Sequence, residues 1–309
     1  MPCIVKNGDN YYLKEKIKFN GGYKDRTFPL GKEIPTIWEP QLINDKAENI
    51  LARLPDESID LILTDPPYGV SFKGHRYLNR DFDVLFNDHN LKFLKGIGNE
   101  FVRVLKPNSH CYIFTRWDAY PIMVRFFSDQ LELDTVIIWD KDEGGHGMGD
   151  LTDYAPRYEM IMKFSKGKRP LNGKRSPNVI RHQDVRFTGE FKIHPTQKPR
   201  GLMEFLIEKS SNKDDIVADF YGGSYSVPRA AMRLFRRSIG VELNPQTHEA
   251  GVELVKKDLH KDPVYGVDWT TVKNIQIKKT DLHEVVMTKK KETGLAEKIV
   301  KEIDEHKRW

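Results

Sequence analysis

Three clusters of residues along this chain could together carry out group transfer. The first is Asp65-Pro66-Pro67-Tyr68, which closes the apolar run Ile59-Asp60-Leu61-Ile62-Leu63-Thr64. Asp65 brings acceptor oxygens. The prolines fix φ and withhold N–H donors, so nearby carbonyls are held in place and left to accept. Tyr68 brings a flat face. Two acceptors beside an aromatic plate suit an exocyclic amino group on a stacked base, whose nitrogen lone pair is drawn out of conjugation and becomes nucleophilic. Taken alone, the four residues equally fit a strand ending in an ordinary Asp-Pro turn. The second cluster is His194-Pro195-Thr196-Gln197-Lys198-Pro199: stiff backbone, two hydrogen-bonding side chains and a lysine suited to a carboxylate, with a helix N-terminus behind. The third is Asp219-Phe220-Tyr221-Gly222-Gly223-Ser224-Tyr225-Ser226, followed further on by Glu242. Strand, glycine turn and helix form the arrangement in which a nucleotide approaches the backbone. An acid about 20 residues after the turn is where a ribose hydroxyl would be held.

These clusters need a scaffold that brings them together, and the hydrophobic pattern supplies one. Short apolar runs predict strands over 41–44, 59–64, 110–114, 134–139, 158–164, 215–219 and 238–241. Helical periodicity predicts helices over 47–54, 93–105, 115–128, 202–210, 227–235 and 244–256. Lys106-Pro107-Asn108 is expected to stop the second helix, and Asp118 to cap the third. Alternating strands and helices predict an α/β sheet, in which ligands sit in the crevice beyond the carboxyl ends of the strands.

Composition narrows the partners. The chain has 309 residues, 39% hydrophobic content and a net charge of +5. This suits one large α/β domain with additions and permits nucleic acid without demanding it. Two cysteines, Cys3 and Cys111, make neither a disulfide framework nor a metal site, and Cys111 is expected in the core. Neither His75 nor His89 has a ligand-spaced partner, so no metal is expected. No apolar run approaches membrane-spanning length, and a soluble cytoplasmic protein is expected. Nine basic residues against two acids crowd into 163–192, an excess larger than the whole-chain net charge. Its Lys166, Lys168, Arg169, Lys174, Arg175 and Arg181 suit phosphate contacts, or else form a solvated basic linker. The long stretch 70–90 interleaves Lys73, His75, Arg76, Tyr77 and Arg80, which could grip a strand around a flipped base or simply be surface loop.

Asp65-Pro66-Pro67-Tyr68, the hexapeptide 194–199 and the glycine turn resemble the motifs of amino-methylating DNA methyltransferases, over roughly residues 40–256. The order of elements through Trp139-Asp140-Lys141 and Arg157-Tyr158-Glu159 is similar too. The resemblance implies a Rossmann-like seven-stranded sheet, mostly parallel with one antiparallel strand and helices on both faces. It implies S-adenosylmethionine as cofactor, double-stranded DNA as partner, and a bacterial or phage-encoded, nucleoid-associated protein, as in restriction-modification. The Asp-first motif is typical of adenine N6 enzymes; cytosine N4 is the alternative. Asp65, Pro66, Pro67 and Tyr68 become the catalytic residues. Asp45, Asp65, Thr196, Gln197, Lys198, Asp219, Tyr221, Gly222, Gly223, Ser224, Tyr225, Glu242 and Asn244 become the cofactor residues. Asp45 reads equally well as a helix N-cap.

The implied plan is an extension over 1–37, a catalytic domain over 38–256 with its short basic DNA-recognition segment at 163–192, and a second extension over 257–309. In the latter, Leu295, Ile299 and Ile303 form a helical stripe that packs on its own domain or, less readily, in a homodimer. One departure stands out. The family pattern is aromatic-x-Gly-x-Gly, and Tyr225 occupies the place of the last glycine. A positive φ there would cost a tyrosine about 1–2 kcal/mol. Its ring could fill cofactor space, leaving a DNA-binding homologue with impaired catalysis, or stack on the cofactor instead; activity is the favoured expectation because the catalytic rim, the hexapeptide and Glu242 are intact.

Overall fold

The computed structural model describes residues 3–19, 22–67, 92–128, 131–141, 154, 157–188, 190, 192–194, 196–260, 268–272 and 275–286. Tyr68, Lys73, Arg76, most of the 140–149 loop and the stripe at Leu295, Ile299 and Ile303 lie outside these residues.

In chain order the strands are β1 (Cys3–Asn7), β2 (Asn10–Phe19), β3 (Gly22–Gly31), β4 (Thr36–Glu39), β5 (Gln41–Asn44), β6 (Ile59–Thr64), β7 (Leu105–Thr115), β8 (Glu132–Asp140), β9 (Tyr158–Lys166), β10 (Val179–Arg181), β11 (Ile216–Asp219), β12 (Arg237–Glu242) and β13 (Gln276–Lys279). The helices are α1 (Ala47–Leu51), α2 (Lys92–Val104), α3 (Tyr120–Phe127), α4 (Val185–Thr188), α5 (Arg200–Ser210), α6 (Ser226–Arg233) and α7 (Pro245–His260).

The central sheet runs β10-β8-β9-β7-β6-β11-β12-β5. β9 runs against both of its neighbours, β7 and β8; the other pairings are parallel. All seven expected strands are present. The sheet nevertheless has eight strands instead of seven, because β10 from the basic segment adds to β8. Three residues of mixed burial are too few to show a period.

Continuous apolar strands are explained by burial on both faces. In β6, Leu61 and Leu63 pack toward Leu202, Met203, Leu206 and Ile207 of α5, while Ile62 packs with Ile50, Leu94, Ile97 and Phe101 of α1 and α2. Neighbouring β7 repeats the alternation, with Tyr112 and Phe114 on the first side and Cys111 and Ile113 on the second. The single acid of the strand, Asp60, ties β6 to both neighbours: Lys106 Nζ donates to Oδ1 at 2.8 Å and the Ile216 N–H to Oδ2 at 2.9 Å.

Two boundaries differ from expectation. Helix α2 ends at Val104, and Lys106-Pro107-Asn108 lies within β7, not in a separating loop. A register shift between Ile59 and Leu61 and the left-handed φ of 57° at Asn108 accommodate the irregular start. Asp118 does not cap α3; the N-cap is Ala119, and Asp118 instead accepts from the Ala119 N–H and from Arg116.

Outside the main sheet, β1, β2 and β3 form an antiparallel meander, and β4 pairs in parallel with β13. Leu13, Leu30 and Ile37 share a core with Tyr225, Met232, Val255, Leu259, Trp269 and Val272. The segments before residue 38 and after 256 thus pack together on the α6–α7 side. Among the described residues, no helix is long and apolar enough to cross a membrane.

Candidate active site

The strand order reverses between β6 and β11: the chain from β6 leads leftward to β7, and that from β11 leads rightward to β12. Such a switch point opens a crevice at the strands' carboxyl ends. Asp65 leaves β6 on one side of it, and Asp219 ends β11 on the other. Pro66 is buried, and Asp65 and Pro67 are half-buried.

Lys198 packs against the Asp65 side of the crevice. Its Nζ lies 2.6 Å from Asp65 Oδ2 and 3.0 Å from Glu159 Oε2, and 5.1 Å from the centre of the Phe114 ring. Only 8% of its side chain is exposed. Burial disfavours the ammonium, but Asp65 and Glu159 outweigh it and push the lysine's pKa up. Glu159 is half-buried; its desolvation opposes ionisation, and Lys198 and Lys141 nonetheless hold it below the usual carboxylate range. Lys141 Nζ sits 2.5 Å from Glu159 Oε1. The hexapeptide lysine therefore faces the Asp65 carboxylate. Glu159 and Lys141 were not singled out from the sequence as site residues. A lone acid in the apolar run Tyr-Glu-Met-Ile-Met was the available signal.

The rest of the hexapeptide folds on itself. Gln197 is buried, and its Oε1 accepts from the Ile193 N–H at 3.0 Å. Thr196 is exposed, with Oγ1 3.1 Å from His194 Nδ1. Burial, with Lys198 and Lys192 nearby, lowers the His194 pKa to about 4 and leaves the ring neutral.

The glycine turn is held by acids at two strand ends. Glu242 accepts from the Gly223 N–H at 2.7 Å and the Asn244 N–H at 2.8 Å. Gly223 has a φ of +50°, and a Cβ there would meet only His194 Nδ1, at 3.9 Å. The hexapeptide thus lies directly against the turn. Asp219 is buried and accepts from Thr64 Oγ1 at 2.8 Å and from the Tyr221 N–H at 3.2 Å. Burial pushes its carboxyl up to about 7, against those two bonds and with added repulsion from Asp65 and Glu242. Tyr221 is half-buried, and Ser224 is buried with its Oγ 3.2 Å from Ser226 Oγ.

Tyr225 has φ 58° and ψ 36°, the left-handed conformation that favours glycine. Its ring is fully buried in the core with Leu13, Ile37, Val255 and Trp269. Gly222, Gly240 and Gly251 cradle it: a Cβ at any of the three would come within 2.4–2.8 Å of the ring. The hydroxyl lies 2.7 Å from His248 Nδ1.

Asp45 accepts from the Lys46 N–H and the Asn49 side chain, both at 2.7 Å, and these bonds lower its pKa. The N-cap of α1 is Lys46, so Asp45 sits one residue earlier than a cap. Asn244 is exposed and accepts from the Thr247 N–H at 3.0 Å. Of the basic segment, Lys166 Nζ donates to the carbonyls of Val102 and Leu105, and Arg169 is largely buried 3.9 Å from Asp215. Lys168, Lys174, Arg175 and Arg181 are exposed.

The model of a DNA methylase family, N6/N4 methylases, matches residues 59–253. The chain belongs to this family. Among curated methylases, the type II methyltransferase M.HpaI of Haemophilus parainfluenzae is 31% identical, over 72% of this chain and 76% of that protein. The DNA adenine methyltransferase YhdJ of Escherichia coli (strain K12) is 27% identical, over 72% of this chain and 83% of that one. The fold is shared with the M1.HpyAVI-SAM complex, at TM-score 0.54 and 23% identity over 70% of this chain and 99% of that one. It is shared also with the cytosine-N4-specific PvuII DNA methyltransferase, at TM-score 0.55 and 17% identity over 80% and 98%.

Two stability measurements check this geometry. Tyr225→Gly removes a buried ring and relieves the strained φ, a net loss of about 2–4 kcal/mol. Gly251→Ala costs about 1–3 kcal/mol by overpacking against the ring, but is neutral or slightly stabilising once Tyr225 is glycine. Urea unfolding of the four proteins in this double-mutant cycle would show additive effects if the cradle is wrong.

The second concerns Asp219. Unfolded, it loses its proton near 3.8; folded, near 7. Between those values the native state binds more protons, so its contribution to stability falls as pH rises. From about pH 4 to pH 7 the parental protein should lose on the order of 2–4 kcal/mol relative to Asp219→Asn. Parallel stability profiles for the two would contradict the buried, protonated carboxyl.

Proposed function

We propose that this chain methylates the N6 amino group of adenine within a specific DNA sequence, using S-adenosylmethionine. The observation that carries the reading is the meeting of Asp65 and the Gly223–Glu242 turn at adjacent strand ends, bridged by Lys198. The Asp-first motif and the likeness to an adenine methyltransferase support adenine over cytosine.

The residues present fit the cofactor. Gly223 leaves room beside a backbone already turned toward the crevice. Glu242 would hold a ribose hydroxyl, Asp219 would give up its proton to take an amino-acid ammonium, and Thr196 offers an exposed hydroxyl. Asp45, Asn244, Tyr221, Gly222, Ser224 and Gln197 complete the proposed cofactor wall, with Tyr225 acting from beneath it through the turn's backbone. When bound, S-adenosylmethionine supplies an electrophilic methyl group.

Asp65 and the Pro66 carbonyl accept the two amino hydrogens, raising the electron density on nitrogen, and Pro67 stiffens the rim. Tyr68 is assigned the stacking face. Positioning and electrostatics supply the catalysis, without a covalent enzyme intermediate. The adenine reaches the rim by leaving the duplex, at a cost of a few kcal/mol. Lys168, Lys174, Arg175 and Arg181, with Lys73 and Arg76, take the phosphates; Lys166 and Arg169 brace that segment through their internal partners. Type II relatives support a modification role beside a restriction enzyme. The packing of Tyr225 into its own core supports retained catalysis over the impaired homologue.

Modified-base sequencing of DNA from cells expressing the chain should report N6-methyladenine at one recurrent sequence, lost with Asp65→Ala while the fold persists. N4-methylcytosine would transfer the same site to the other base. No modification, together with no heat of cofactor binding, would favour the impaired homologue.

A further inference from the structure

Lys198 raises a question that the cofactor reading leaves open. A lysine in this loop was expected to meet a carboxylate of the ligand, yet its ammonium is committed to two carboxylates of the protein. Those carboxylates come from different elements, Asp65 after β6 and Glu159 in β9. Its backbone is committed in the other direction, since the Lys198 carbonyl accepts from Ser226 Oγ at 2.8 Å, and Ser226 Oγ lies 3.2 Å from Ser224 Oγ. One residue thus bonds the catalytic rim through its side chain and the start of α6, beside the glycine turn, through its main chain.

We propose that Lys198 is a positioning residue for methyl transfer, fixing the Asp65 carboxylate against the rim and coupling its position to the cofactor turn. This rests on the function proposed above. Glu159, held in turn by Lys141 through its other oxygen, anchors the ammonium from the far side, so Lys198 swinging toward a ligand would give up two carboxylate partners at once. The lysine acts through Asp65 and touches neither reacting atom. An adjacent ammonium also favours the charged carboxylate, the form able to accept from the substrate amino group. Among the described residues, the charged and titratable groups around Asp65 include Lys198, Glu159 and Asp219, with Lys141, His194 and Glu242 one step further out.

The test uses the full chain with DNA carrying its recognised sequence. Single-turnover transfer at saturating cofactor should fall about 10²-fold in Lys198→Met, as expected for a misplaced catalytic group. Cofactor affinity by calorimetry should stay within about threefold, and Lys198→Arg should recover part of the rate, since the charge persists and the geometry changes. Should Lys198→Met alone fail to fold, the double variant Lys198→Met/Glu159→Gln removes the stranded charge and carries the same expectation. Parental transfer rates in either variant would overturn the proposal. So would a large loss of cofactor affinity with the rate at saturation unchanged, which would return Lys198 to the ligand's carboxylate.

A second readout needs no activity. In the ligand-free protein, carbon NMR of Asp65 should show its titration midpoint move to higher pH in Lys198→Met, because the adjacent ammonium that favours the charged carboxylate is gone. An unmoved midpoint would also overturn the proposal. A parental protein that methylates nothing would defeat the functional reading and leave this titration to decide Lys198.

Discussion

The site depends on one buried ammonium. Removing a lysine from water costs several kcal/mol unless good partners surround it, and stripping one partner from such a cluster strands the rest. Lys198, Asp65, Glu159 and Lys141 satisfy that constraint as an alternating chain of charges across β6, β9 and the loops beside them. The chain fixes where the rim of the crevice stands. It also joins motifs 133 residues apart in sequence by a bond of 2.6 Å.

The same economy operates on the other wall. A tyrosine in left-handed backbone where the family has glycine is a local conflict, and the surroundings resolve it. Three glycines from the turn, β12 and α7 give the ring a slot, while His248 takes its hydroxyl. The ring then belongs to the core that binds the N-terminal meander and the C-terminal segment to α6 and α7. The strain sits at the glycine turn and is offset by burial. In three dimensions the tyrosine that replaces the motif glycine serves as a packing device for that core.

Much of the frame was legible because parallel strands buried on both faces leave unmistakable apolar runs. β5, β6, β8, β9, β11 and β12 fall within two residues of their expected starts, while the strand order and its reversal between β6 and β11 come from the tertiary structure. β10 was not legible, since three residues at a sheet edge carry no period. Nor was the β1–β3 meander, whose residues are mixed in polarity with no clean period. The start of β7 at Leu105 was obscured by Pro107 and by the register shift that admits it.

The sequence by itself determined which residues could do chemistry and that two halves of a pocket had to meet. Residue type and local spacing carry that information: a proline rim after a buried strand, and a glycine turn before a helix. Only the tertiary structure decided where side chains with more than one suitable partner would point. Lys198 could have met a ligand carboxylate and instead meets Asp65; Tyr225 could have entered the pocket and instead fills a core. Lys166 could have met a phosphate and instead holds two carbonyls. In each case the outcome depends on desolvation and on partners distant along the chain, which no local pattern records.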